Sequence, residues 1–242
     1  MDEFDYDAII VGAGPIGGYL AQKLAEDNLR VLILEEHSEI GRPFQCAGLV
    51  NPKAMASVGL LETVLTPIWG ARIYSPEGTL VEIGQKNKVR TWSVCRKLFD
   101  EAVVIQSIKS GADIWLSSKP VNLKIGEEKV EIEISTPNGI KNLTTKVICG
   151  ADGAHSWVRR KLKMGRPKET MIGMQIEITG YEGKSGKLDM YTGSDISPGF
   201  FAWVIPSGET ARVGVWSQTK YIGEKSCEDL LNELMRNSRW SY

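Results

Sequence analysis

Apolar residues gather in short blocks along the chain. Asp7 to Val11 carries Ala-Ile-Ile-Val, and Arg30 to Leu34 carries Val-Leu-Ile-Leu. Between them, Pro15 to Glu26 sets Ile16, Leu20 and Leu24 on one face at helical spacing. Unbroken blocks of this length predict buried strands and the spaced set predicts a helix, so the chain opens with a βαβ unit. From Gly70 to Gly84, two stretches flank Pro76-Glu77-Gly78, a turn signal, and predict two strands. A helix is predicted from Lys97 to Gly111, where glycine ends it.

The blocks Ile114 to Leu116, Pro120 to Ile125, Lys129 to Ser135 and Lys141 to Ile148 alternate around Gly126-Glu127-Glu128 and Pro137-Asn138-Gly139. They predict an antiparallel meander. Beyond Arg166-Pro167 the blocks lengthen: Met171 to Thr179, Lys187 to Thr192, Phe200 to Ile205 and Arg212 to Gln218. A second, mostly β domain is expected there. Ser226 to Arg236 starts with a capping serine and carries Leu230, Leu231 and Leu234, which predicts an amphipathic helix. The expected fold class is α/β.

Composition narrows the partners. With 242 residues, 42% apolar and 24% charged, the chain is neither disordered nor collagen-like. Lys plus Arg (29) nearly balance Asp plus Glu (30), which argues against nucleic acid as a partner. Cys46, Cys95, Cys149 and Cys227 form no C-x-x-C pair, so neither a metal site nor a disulfide framework is indicated, and reduced thiols are expected. The opening Met-Asp-Glu-Phe-Asp-Tyr-Asp is acidic where a secretory signal is basic, and no apolar run approaches the roughly 18 residues of a membrane span. A cytoplasmic protein is expected.

Gly12, Gly14 and Gly17 form G-x-G-x-x-G after a strand and at the opening of a helix, with Glu35 at the end of the next strand. This context is that of a dinucleotide site. One glycine makes the tight turn, one lets backbone approach a pyrophosphate and one lets helix meet strand, while Glu35 accepts hydrogen bonds from ribose hydroxyls. The alternative is a glycine turn used only for packing. NAD and FAD share this unit, so the fingerprint alone does not choose between them.

Further segments carry a resemblance. Ile148-Cys149-Gly150-Ala151-Asp152-Gly153, followed by Ala-His-Ser and Val158-Arg159, resembles the Asp-Gly motif of the group A flavoprotein monooxygenase and reductase superfamily. Arg96, in Arg-Lys-Leu-Phe-Asp, resembles the arginine that opens a helix in those proteins. The resemblance implies FAD as cofactor, with Asp152, Gly153 and Arg96 near it; a solvated helix-start residue is the plainer reading of Arg96. Within the superfamily, Gly41-Arg42-Pro43-Phe44-Gln45-Cys46-Ala47-Gly48-Leu49-Val50 is similar to the geranylgeranyl reductase family, including archaeal digeranylgeranylglycerophospholipid reductases. There the cysteine lies near the isoalloxazine and the substrate double bond. The resemblance thus implies a catalytic Cys46 and cofactor contacts from Ala47 and Gly48; a small buried thiol used for packing is the alternative.

The family's Pro-x-x-Tyr-x-Trp-x-Phe-Pro motif reads here from Pro198 to Pro206, with Phe201 in place of Tyr and Ile205 in place of Phe. In a strand, Phe201, Trp203 and Ile205 share one face, so they would line an apolar substrate pocket or, alternatively, a sandwich core. The implied domains are a discontinuous Rossmann-like FAD-binding domain over 1–67 and 90–165, and a β-sheet substrate domain over 68–89 and 166–242. The family's later Gly-Asp-Ala motif does not follow Tyr242, so the chain is expected to be truncated or one part of a split protein. The implied reaction is reduction of carbon–carbon double bonds in isoprenoid lipids, fed by NAD(P)H or ferredoxin, and the lipid substrate admits peripheral membrane contact. A flavin monooxygenase acting on a small aromatic compound, and a non-catalytic fragment that needs a partner chain, are the other readings.

Overall fold

A computed structural model describes residues 4–181 and 186–236, so the first three residues of the acidic opening lie outside it. In chain order, the first elements are β1 (Tyr6–Val11), α1 (Pro15–Glu26), β2 (Val31–Leu34), β3 (Leu49–Val50), α2 (Pro52–Val58), β4 (Val64–Ile68), β5 (Gly70–Tyr74), β6 (Leu80–Gly84) and β7 (Thr91–Val94). Then come α3 (Arg96–Lys109), β8 (Asp113–Trp115), β9 (Lys119–Ile125), β10 (Val130–Thr136), β11 (Gly139–Gly150) and α4 (Trp157–Lys161). The last are β12 (Met171–Thr179), β13 (Lys187–Thr192), β14 (Phe201–Ser207), β15 (Thr210–Gln218) and α5 (Cys227–Arg236). They fall into two compact units, 1–45 with 96–166 and 46–95 with 167–242.

The first unit is built on a six-stranded sheet of order β8-β2-β1-β11-β10-β9. β1 pairs in parallel with β2 and with the end of β11, while the start of β11 pairs antiparallel with β10. The central parallel strands β1 and β2 are buried on both faces, which explains their unbroken apolar runs. Ile10 and Ile33 pack with Ala21 and Val104 on one side; Ile9, Val11, Leu32 and Leu34 pack with Ile132 and Val158 on the other. The stretch Ile114 to Leu116, expected in the meander, is corrected here: β8 is a parallel edge strand beside β2. The chain reaches it through α3, and a helical crossover returns a strand in the parallel sense.

The buried face of α1 also departs from expectation. Leu20 and Leu24 pack against the core as the spacing predicts, but Ile16 is 73% exposed, and the fully buried residues are Gly17, Gly18, Ala21 and Ala25. A Cβ on Gly18 would stand 3.0 Å from the side chains of Val103 and Val104 of α3. Small residues let the two helices approach closely, and Ile16 alone of the three is turned out of the buried face.

The second unit holds a six-stranded sheet of order β12-β15-β14-β13-β5-β6 and a small sheet of order β3-β7-β4. α5 covers one face of the larger sheet, packing Leu230, Leu231 and Leu234 among Tyr191, Val204, Val213 and Val215. Arg72 donates from Nε to Asp189 Oδ1 at 2.5 Å and from Nη2 to Oδ2 at 3.0 Å, a two-point ion pair that holds β5 to β13. Residues 46–67 and 90–95 lie in this unit, whereas the sequence reading placed them with the first. Their pairing accounts for the difference: Trp92 sits opposite both Val50 and Pro67, so β7 is tied to β3 and β4.

Candidate functional site

The loop between β1 and α1 gives each glycine of the fingerprint a different task. Gly12 sits at φ +104°, and a Cβ there would stand 2.5 Å from the Ala151 carbonyl oxygen. A Cβ on Gly17 would overlap the Gly12 carbonyl oxygen itself. Gly14, the N-cap of α1, has no atom within 4 Å of a built Cβ and supplies no side-chain cap. The first N–H groups of a helix have no intrahelical acceptor, so this end of α1 offers donors and positive potential where Gly14 leaves room.

Two acidic residues from distant segments meet the loop. Glu35, at the end of β2, accepts from Ala13 N at 2.9 Å through Oε2 and from His37 N at 3.0 Å through Oε1, which also lies 2.7 Å from His37 Nδ1. β11 brings the second, because Ala151 N donates to Val11 O at 2.8 Å and lays the Asp152 turn against Gly12. Asp152 Oδ2 accepts from Val158 N at 3.0 Å, and Ser156 Oγ accepts from Arg159 N at 2.9 Å, which caps α4. Asp152 Oδ1 is buried without a hydrogen-bond partner among the described residues. A buried acceptor in that state has room for a donor from a bound ligand or an ordered water. Gly153, next in line, has open space at its Cβ position.

Arg96 opens α3 as predicted, but its guanidinium grips Asp100 one turn on, with Nε to Oδ1 and Nη2 to Oδ2 both at 2.8 Å. Beside that helix start, His37, Ser38, Glu39, Arg42, Pro43 and Lys97 line a cleft of about 590 Å³. His37 and Lys97 were not singled out from sequence. The signal for His37 was its place two residues after Glu35 in a chain with only two histidines.

The remaining candidates belong to the second unit. Cys46 is half-buried, and its Sγ accepts from Gly48 N at 3.4 Å. Gly48 O accepts from Val94 N at 2.9 Å, and Ala47 O accepts from Arg212 Nη1 at 2.9 Å. Arg212 was missed from sequence, although an arginine within Ala-Arg-Val-Gly-Val is a signal in a strand otherwise apolar.

Strand register places Phe201, Trp203 and Ile205 on the face of the sheet opposite α5, across from Trp216, Gly214 and Arg212 of β15. Trp203 lies over Gly214 and Trp216 over Gly173, where side chains would collide with the indoles. The two indoles meet edge to face at 5.9 Å, and Phe200 stacks on Phe201 at 4.3 Å. Trp203 and Ile205 are buried, so the accessible end of this wall is Phe200, Phe201 and Trp216. Trp203 Nε1 and Gln175 Oε1 on the same face are buried without partners among the described residues.

Comparison with known proteins fits this geometry. Digeranylgeranylglycerophospholipid reductase of Methanosarcina acetivorans is 31% identical over 219 residues, which cover 87% of this chain and 54% of that protein. The protein of the same name from Methanocaldococcus jannaschii is 29% identical over 240 residues, covering 96% and 60%. A geranylgeranyl bacteriochlorophyll reductase-like structure from Thermoplasma acidophilum superposes with a TM-score of 0.87 at 26% identity, covering 96% of this chain and 62% of that one. The chain therefore spans less than two thirds of the length of these relatives. FAD suits the residues present, since its phosphates would find donors at the α1 N-terminus and its sugar and ribityl hydroxyls would be donors of the kind Asp152 Oδ1 is without among the described residues. A family model described as an FAD binding domain matches residues 5–229, and the chain belongs to that FAD-binding family.

Proposed function

We propose that this chain carries the cofactor-holding and alkene-facing parts of an FAD-dependent reductase of carbon–carbon double bonds in the geranylgeranyl groups of isoprenoid ether lipids. The observation that carries the reading lies within the second unit. Arg212 ties the Cys46 turn to the sheet face that bears Phe201, Trp203 and Ile205, so a thiol and an apolar aromatic wall are held together. Relatives named for this reaction support the lipid class.

When bound and reduced, FAD supplies a hydride to one alkene carbon. Gly12, Gly14, Gly17, Glu35, Asp152 and Gly153 would hold the cofactor, and Arg96 fixes the start of α3 through Asp100. Ala47 and Gly48 shape the turn beside Cys46. The Phe200, Phe201 and Trp216 end of that face, backed by buried Trp203 and Ile205, would exclude water and orient an isoprenoid chain, and the Cys46 thiol would hold a proton for the neighbouring carbon. NAD(P)H or ferredoxin would be the electron donor, and a lipid substrate would bring the protein to a membrane surface at its periphery. No described helix is long and apolar enough to cross a membrane.

The test is a visible spectrum of the purified chain with added FAD, bleached by dithionite under anaerobic conditions and then mixed with a geranylgeranyl lipid. Recovery of the oxidised spectrum together with a saturated lipid product is expected. Cys46→Ala should slow that recovery about 100-fold, the scale of a positioned proton donor, while leaving the melting temperature nearly unchanged. Retained FAD that no isoprenoid alkene reoxidises would overturn the substrate class, and unchanged turnover in Cys46→Ala would return Cys46 to a packing role.

A further inference from the structure

Arg212 is only 2% exposed, yet it stands on a strand whose neighbouring residues are Ala211 and Val213. Its Nε donates to Glu177 Oε1 at 3.1 Å. Its Nη1 donates both to Ala47 O at 2.9 Å and to Val94 O at 3.0 Å. Those two carbonyls come from segments almost fifty residues apart, and Arg212 lies more than a hundred residues beyond either. Gly48, at φ +76°, leaves the space that the guanidinium fills, because a Cβ there would collide with Nη1.

A buried guanidinium is a costly way to fill space, and a methionine would fill it without desolvating a charge. What arginine adds is a rigid planar fork that directs several hydrogen bonds at once, which neither methionine nor lysine reproduces. Here the fork ends on the residue that follows Cys46 and on the strand whose N–H holds Gly48 O. The turn so fixed presents Gly48 N to Cys46 Sγ at 3.4 Å. We infer that Arg212 is the positioning residue for Cys46: by clamping Ala47 and Val94 it holds the Cys46-Ala47-Gly48 turn in one conformation and keeps the thiol against its backbone donor. The functional meaning of the clamp rests on the proposed role of Cys46, but the clamp itself is testable without cofactor or lipid.

The test is site-resolved alkylation of the folded chain by iodoacetamide, read by peptide mass spectrometry, with Cys149 and Cys227, which lie away from the clamp, as internal references. Arg212→Lys should raise the alkylation rate of Cys46 about tenfold through local opening of the turn, and leave the reference cysteines within about twofold. Arg212→Met, which fills the same space without a hydrogen-bonding fork, should raise the Cys46 rate in the same way and decides the matter if Arg212→Lys does not fold. Glu177→Gln keeps both carbonyl bonds and should leave the rate unchanged, which separates the clamp from a general charge effect. An unchanged Cys46 rate in the folded variants, or an equal rise at Cys149 and Cys227, would overturn the inference. A selective rise combined with undiminished alkene reduction in Cys46→Ala would keep the clamp and sink the proposed role of the thiol.

Discussion

Gly14 and Gly17 stand three residues apart and should respond in opposite ways to a methyl group. At Gly14 the backbone is at φ −71° with nothing near the Cβ position, so Gly14→Ala should change folding stability by less than about 0.5 kcal/mol. The methyl would instead stand where a phosphate approaches backbone, and FAD affinity should fall about tenfold in a titration. Gly17→Ala drives a Cβ into the Gly12 carbonyl and should cost about 1–3 kcal/mol in a thermal or urea melt. Equal loss of stability in both variants would reduce the fingerprint to packing. The fingerprint was legible residue by residue because each task demands glycine for a reason visible in one dimension. The orphaned Asp152 Oδ1 and the reach of Arg212 were not, since both depend on segments joined only by tertiary pairing.

At the scale of elements, Asp7 pins three strands of the first sheet. Its Oδ1 pairs with Lys146 of β11 at 2.8 Å, and its Oδ2 accepts from Arg30 N, just before β2, at 2.9 Å. The Lys146 bond and then the Arg30 N–H hold its carboxyl down at about 2, from an ordinary value of 3.8. Because the folded-state value is lowered, the stabilisation is present above the ordinary value and is lost as pH falls from there through about 2. Asp7→Asn should therefore be less stable than the parent at neutral pH, by about 1 kcal/mol or roughly 2–4 °C in melting temperature, and the gap should close on acidification. A gap that does not shrink between about pH 5 and pH 3 would mean that the carboxylate charge contributes nothing. The β1–α1–β2 unit and β12, β13, β15 and α5 were readable because long runs or clear periods fix them. The stretch from Leu49 to Ile68 was not, because β3, α2 and β4 are short and β7, their partner, lies beyond an intervening hairpin. For the same reason the division into units was misplaced by about twenty residues around Cys46.

Over the whole molecule, two units with separate cores share one chain that crosses between them near Cys46, Cys95 and Arg166, and the proposed cofactor contacts from 12–17, 35 and 151–153 all fall in the first. A ligand that binds only the folded state stabilises it by mass action, about 2.7 kcal/mol at one hundred times its dissociation constant. That stabilisation has an address. Hydrogen exchange with and without FAD should slow most at Ala13 to Gly18, at Glu35 to His37 and at Asp152 to Val158, where the glycine loop, the carboxylate that holds it and the Asp-Gly turn converge. Gly14→Ala, which leaves the fold intact, should remove this protection at an FAD concentration that saturates the parent, whereas Cys46→Ala should leave it in place. Slowing concentrated in β14 and β15 would instead move the cofactor contacts to the aromatic sheet face and give Trp203 Nε1 and Gln175 Oε1 the partners they are without among the described residues.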